Sequence, residues 1–196
     1  GMPIHEVTAL IESKEAPLDA SAAIEKAGKV VLAEYALLNI FPRDIADAHL
    51  SGAIHLDGVG TWALKPNEVV HDISYFLMHG IKLDNACQTV MAPPRDFKSA
   101  LSIAFNVLLH SSRETNGTQT YNYFNISLAP YIRGNDVAHV RESLRLFILN
   151  LNQHVDATLA IELAMPNMVS EKGAVGPEGK IAGKYGDFTQ EAQLLA

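Results

Sequence analysis

Apolar residues recur at three- and four-residue steps over three long stretches of this chain. Each stretch predicts an amphipathic helix. The first is capped by Asp19 or Ser21 and runs to about Leu38, with Ala23, Ile24, Ala27, Val30, Val31, Leu37 and Leu38 on the repeating positions. The second follows Pro93-Pro94 and covers 95–115. Phe97, Leu101, Ala104, Phe105, Leu108 and Leu109 line one face, and Asn116-Gly117 marks the stop. The third follows Asn135-Asp136 and runs to about Asn152, with Val137, Val140, Leu144, Phe147, Ile148 and Leu151 inward. Pro42 opens a shorter helix through Leu50, as proline does at a first helical position, and Ser51-Gly52 ends it.

Short apolar runs predict the strands. Ala53 to Leu56 is a buried strand candidate, and 57–68 is a loop punctuated by glycine and proline. Val69 to Met78 mixes polar and apolar steps and is read as a helix that stops at His79-Gly80. Tyr121 to Leu128 alternates and carries aromatics, which predicts a strand, and Thr158 to Leu163 predicts another. Four glycines between Gly173 and Gly183 predict a flexible loop, followed by a helix from about Asp187 to Ala196. Residues 1–18, with Pro3 and Pro17, are an expected N-terminal arm, and Gly1 before Met2 reads as an expression scar. Residues 19–196 are then one α/β domain whose helices cross between strands. Few strands and a final helix without a stop signal predict a piece of something longer.

Composition narrows the classes. Hydrophobic residues make up 48% and charged residues 19%, enough for a sizeable core. No run predicts a membrane span, and no basic region followed by an apolar stretch predicts a secretion signal. The net charge of −7 argues against sequence-independent binding to nucleic acid, which needs clustered Lys and Arg to displace counterions. A nucleotide needs only a local pocket and stays open. The single cysteine, Cys87, excludes an internal disulfide and a thiolate metal cluster, and a reducing, cytoplasmic home is expected.

Candidate chemistry falls in two places. His49, His55 and Asp57 have imidazole and carboxylate groups that bind metals, but a histidine at a helix end and another on an apolar strand are read as structural, and no metal is expected. Glu68 stands three residues before His71 and can pair with it across one helical turn, and Asp72 adjoins it. The second place is the polar cluster around Asn116-Gly117, with Ser111, Ser112, Glu114, Gln119 and Asn122. Turn amides there can hold phosphate, so Glu114, Gln119 and Asn122 are candidate nucleotide-binding residues. The glycines of 173–183 fit neither the P-loop nor the dinucleotide fingerprint.

The order of four blocks carries a resemblance. Ala48-His49-Leu50-Ser51-Gly52 and Ile54-His55-Leu56-Asp57-Gly58 are similar to A-H-x-x-G followed by I-H-I-H-D, and Trp62 to Asp72 is similar to a run through a cysteine to an H-D pair. Phe97, Ala100, Leu101, Glu114, Gly117, Gln119, Asn125 and Leu128-Ala129-Pro130-Tyr131 follow a second block. Phe147 to Pro166 follows a third, and Lys184 to Phe188 with Glu191-Ala192-Gln193 a fourth. Together they resemble the anaerobic (class III) ribonucleoside-triphosphate reductases, which are glycyl-radical enzymes of DNA precursor synthesis.

The resemblance implies a fold and a chemistry. The fold would be the helix-rich part of a ten-stranded α/β barrel around a thiyl-forming cysteine. A glycine would store the radical, and a radical-SAM iron–sulfur activase would install it. The thiyl would remove the 3′ hydrogen of a ribonucleotide in a site that excludes water. A homodimer, a ribonucleoside triphosphate and a nucleotide effector are implied partners; no cofactor is expected on this chain itself. His55, Asp57, Glu68, His71 and Asp72 become the candidate active-site wall. The chain departs from the family where Glu68 replaces its upstream cysteine, where Asp57-Gly58 replaces H-D, and where Cys87 matches neither family cysteine. The expectation is a partial oxidoreductase domain, inactive alone. The alternatives are a stand-alone module that binds a nucleotide or partner, and a paralogous radical enzyme with another substrate.

Overall fold

The computed structural model describes residues 20–61, 65–82 and 91–196. The expected arm at 1–18, the Trp62-Ala63-Leu64 run and Cys87 lie outside the described residues. Where 19–196 was expected as one domain, contacts divide the chain into two compact units, Gly1–Asn67 and Glu68–Ala196.

The first unit holds α1 (Ala20–Asn39) and α2 (Arg43–Leu50). Pro42 occupies the N-cap position, with φ of −54° already near the helical value, so α2 begins one residue later than expected. The apolar repeat on α1 is not a buried stripe: Ala36 is buried, whereas Ile24, Val31 and Leu38 are exposed. Nor does Ala53 to Leu56 form a strand. Gly52 turns the chain at a φ of +77°, and the amides of Ala53 and Ile54 both donate to Ala48 O. The segment thereby folds back on the helix C-terminus and spends the donors a sheet would need. Further on, a Cβ at Gly60 would lie 2.3 Å from Lys29 O, so only glycine lets this loop approach α1.

The second unit carries a three-stranded parallel sheet in the order β1-β2-β3, made of β1 (Glu68–His71), β2 (Thr118–Tyr121) and β3 (Ala157–Leu159). Parallel neighbours need long crossovers. Between β1 and β2 these are α3 (Ile73–His79) and α4 (Phe97–Ser111); between β2 and β3 they are α5 (Phe124–Leu128) and α6 (Val137–His154). The expected helix over 69–78 is thus corrected. Glu68 to His71 pairs with Thr118 to Tyr121, where β-branched Val69 and Val70 suit the pleat, and the helix starts only after Asp72.

The expected strand over 121–128 is corrected too. Tyr121 ends β2, Tyr123 turns the backbone at a φ of +55°, and Phe124 to Leu128 is a short helix buried on all sides. A fully buried short helix and a buried strand have the same apolar signature. The strand expected over 158–163 is shorter, Ala157–Leu159.

The core lies between sheet and helices, with Phe97, Leu108, Tyr121, Phe124, Val140 and Phe147 among its buried members. Phe124 stacks on Tyr121 at 6.0 Å and on Phe147 at 5.6 Å between centroids. Val137 and Ile148, expected inward on α6, are exposed. Beyond β3 come α7 (Asn167–Ser170) and an antiparallel hairpin, β4 (Gly173–Val175) and β5 (Ile181–Lys184), where a loop was expected. A 3-10 turn, Tyr185–Phe188, leads into α8 (Thr189–Leu194), so the terminal helix begins later than expected. Asn125, fully buried, ties these layers together: its Oδ1 accepts from Glu162 N, and its amide donates to Glu162 O and Ala192 O. The described part shows a mixed helix-and-sheet unit with sequential parallel strands. A ten-stranded closed barrel is not seen in it.

Candidate functional site

A cleft of about 540 Å³ opens at the carboxyl ends of β1 and β2, bordered by α3, α5 and the β4–β5 hairpin. In parallel α/β sheets this is the end at which ligands bind, because the strand-to-helix loops converge there. His71 is the last residue of β1 and Asn122 directly follows β2. Both line the cleft, and so do Asp72, Tyr123 and Lys172.

Each side chain is placed by local folding. The Asp72 carboxylate accepts from Ser74 N at 3.0 Å and so caps α3. That cap starts a helix whose exposed face carries Tyr75 and His79, their rings 4.5 Å apart between centroids and tilted by 32°. His79 Nδ1 lies 2.9 Å from Tyr75 O, which can only accept, so Nδ1 is the donor. Beneath them, Val175 N donates to the Tyr185 hydroxyl, which lies 3.2 Å from Ser74 Oγ; Ser74 Oγ lies 3.4 Å from Ser127 Oγ. The cleft therefore has a hydroxyl floor, an aromatic and imidazole wall, and a lysine. The positive φ at Tyr123 is uncommon for a non-glycine residue and is the kind of backbone irregularity that clusters at functional sites.

The expected residues separate. His71, Asp72 and Asn122 meet at the cleft. Glu68 does not pair with His71: three residues apart on a strand, they point to opposite faces, and His71 Nε2 lies 2.9 Å from Gln119 Oε1 instead. Gln119 is buried and its amide donates to Leu108 O, so it is closed to any ligand. Glu114 is exposed in the turn before β2, with its amide bonded to Ser111 O, while Asn122 lies past the other end of that strand. About 13 Å of strand separates the two, so Glu114, Gln119 and Asn122 do not converge. His55 and Asp57 are exposed in the first unit, which corrects the reading of His55 as a core residue. His49 is half-buried beside His55, and its Nδ1 accepts from Leu56 N. Among the described residues no group of three or more His, Cys, Asp or Glu is arranged to hold a metal. No described helix is long and apolar enough to cross a membrane.

Sequence reasoning passed over Ser74, Tyr75, Ser127, Lys172 and Tyr185. Nothing in spacing marks them, since Ser74 and Tyr185 meet from 111 positions apart.

Comparison with known proteins supplies the context. A family model described as anaerobic ribonucleoside-triphosphate reductase matches residues 16–196. The anaerobic ribonucleoside-triphosphate reductase of Haemophilus influenzae is 27% identical over 116 residues, covering 58% of this chain and 16% of that protein. Its namesake from Escherichia coli is 27% identical over 105 residues, covering 53% and 14%. This chain thus spans only a small part of the length of the curated relatives it matches. Among solved structures, the anaerobic ribonucleotide reductase from Thermotoga maritima with citrate in the active site superposes with a TM-score of 0.68 at 15% identity, covering 98% of this chain and 38% of that one. The same enzyme in complex with dATP and CTP gives 0.66 at 14% identity, covering 90% and 34%. At such identities the likeness shows a shared fold.

Proposed function

The chain belongs to the anaerobic ribonucleoside-triphosphate reductase family, and from that premise we propose that its strand-end cleft is a nucleotide-facing wall of a ribonucleotide reductase. In this reading β1, β2 and β3 are neighbouring staves of the family's ten-stranded barrel. The observation that carries it is the convergence of His71, Asp72 and Asn122, from the carboxyl ends of adjacent parallel strands, on one cleft with Lys172. Lys172 offers a cation to phosphate, Asn122 an amide to a base or sugar, and the Ser74, Ser127 and Tyr185 hydroxyls line the floor.

This wall binds and orients the nucleotide; it does not break the bond. The family's thiyl and glycyl radicals would supply hydrogen abstraction. Cys87 is the sole thiol among these 196 residues, and Glu68 in place of the upstream cysteine brings no reducing sulfur. The chain alone is therefore expected to be inactive. Activity would need a radical-SAM activase, with a homodimer as the working assembly and the cytoplasm as its place. The solved relatives holding dATP with CTP, and dATP in a specificity site, support a nucleotide as the ligand class.

Calorimetric titration of the chain with CTP, ATP, dATP and dTTP tests the reading. Saturable heat with at least one ribonucleotide, lost on Lys172→Ala and weakened by Asn122→Ala, is expected. No heat with any of the four, together with no shift in melting temperature, would refute it.

A further inference from the structure

We propose that the turn opening β2 is a site of spontaneous modification, at which Asn116 deamidates through Gly117 and leaves isoaspartate in the main chain. The turn was expected to help hold phosphate, but the fold separates Glu114, Gln119 and Asn122 and buries Gln119. Its own covalent chemistry is independent of any ligand. Asn116 is the one asparagine of the 196 residues that is followed by glycine.

The structure exposes both residues. They lie between two hydrogen-bonded frames. Arg113 N on His110 O and Glu114 N on Ser111 O close the end of α4, and the ladder to β1 begins at Thr118 opposite Glu68. Inside a helix or a ladder, a peptide nitrogen is held by its own hydrogen bond and does not swing towards a neighbouring side chain. Glycine has no Cβ to crowd the approach of its nitrogen to the preceding side chain. Other asparagines are placed differently. Asn125 is fully buried, with its amide donating to Glu162 O and Ala192 O, and Asn135 donates to Tyr131 O. The residues after them, Ile126 and Asp136, carry side chains that hinder the same attack.

The step needs only water. Gly117 N bonds to Asn116 Cγ. The bond from Cγ to Nδ2 breaks, and Nδ2 leaves as ammonia with the proton that the Gly117 amide gives up. The cyclic imide then takes up water at one of its two carbonyls. Opening at the Cγ carbonyl gives aspartate. Opening at the main-chain carbonyl gives isoaspartate, with the chain now running through Cβ and Cγ. Nothing is oxidised or reduced.

Either product adds a negative charge beside the exposed Glu114 turn. Isoaspartate also lengthens the main chain by one bond, about 1.5 Å, immediately before Thr118. Thr118 to Tyr121 pairs residue by residue with Glu68 to His71, so the insertion falls at the start of the middle strand of the sheet. The first ladder pairs loosen, and the modified chain is less stable than its parent.

Peptide mass spectrometry of the purified chain, held in warm and mildly alkaline buffer, tests the proposal. Fragment ions should place the amide-to-acid mass gain at Asn116, ahead of Asn122 and Asn125 in the same tryptic peptide, and a protein isoaspartate methyltransferase should label the product. Asp57-Gly58 can form the same imide without losing ammonia, so the mass gain decides and the label alone does not. Gly117→Ala should abolish the gain over the same interval; Gly117 is not among the glycines with positive φ, so alanine keeps the backbone. The aged parent should melt at a lower temperature than the fresh chain, with no such shift in aged Gly117→Ala. An unmodified Asn116, an Asn122 that converts as fast, or a gain undiminished in Gly117→Ala overturns the site. An unshifted melt in a largely converted chain overturns its link to the ladder. Should Gly117→Ala misfold, the comparison of Asn116 with Asn122 in the parent still decides.

Discussion

Backbone geometry alone fixes some residues of this protein. Gly80 is the sharpest case. It ends α3 at a φ of +73°, and a Cβ there would lie 2.0 Å from Met91 O, beside the bridge between Ile81 and Met91. Gly80→Ala is expected to destabilise the chain by about 3 kcal/mol, since it combines positive-φ strain with a backbone clash. Urea unfolding would measure it, and a loss within experimental error would contradict the geometry. The stop at His79-Gly80 was legible in the sequence, because glycine alone takes such a positive-φ turn without strain. The partnership of Gln119 with His71 was not legible. It joins residues 48 positions apart and reverses the role expected for Gln119, from ligand contact to buried support.

Elements repeat the contrast. The long helices declared themselves through 3.6-residue periodicity, and α4 also carries a capping box. Asp96 accepts from Ser99 N at 2.8 Å, and Ser99 Oγ lies 3.1 Å from Asp96 N. Asp96→Ala should cost about 1 kcal/mol. The bond from the Ser99 amide, outweighing burial, holds the Asp96 carboxyl below the ordinary aspartate range. A depressed folded value means that its contribution is present above the unfolded pKa and is lost as pH falls through the folded one. The melting-temperature gap between the parent and Asp96→Ala is therefore expected to be widest near neutrality and to narrow below about pH 4. A gap constant across that range would show that the charge plays no part. Strands were harder to read, since none among the described residues exceeds four residues and such runs hold too few side chains for a period of two to emerge.

At the scale of the molecule, the second unit rests on helices packed over a small sheet. Phe147 on α6, 5% exposed, stacks on Phe124 and so joins a crossover helix to the chain leaving β2. Phe147→Ala should remove about 3–5 kcal/mol, read as an earlier denaturation midpoint with an unchanged slope. A family and a layer architecture were legible from the order of motifs. The positions of the strands were not, because a register is fixed by partners that fold in from elsewhere. That feature has a kinetic side. Glu68 pairs with Thr118 and Gln119 with Ala157, so each ladder closes only after a crossover of dozens of residues has been ordered. Helices that need only local neighbours form sooner. On refolding from denaturant, helical circular dichroism should return first and the near-ultraviolet signal of Tyr121, packed at the end of β2, in a later, slower phase. The chain would thus pass through an intermediate with helices and no ladders; simultaneous recovery of both signals would show that the ladders close as early as the helices do.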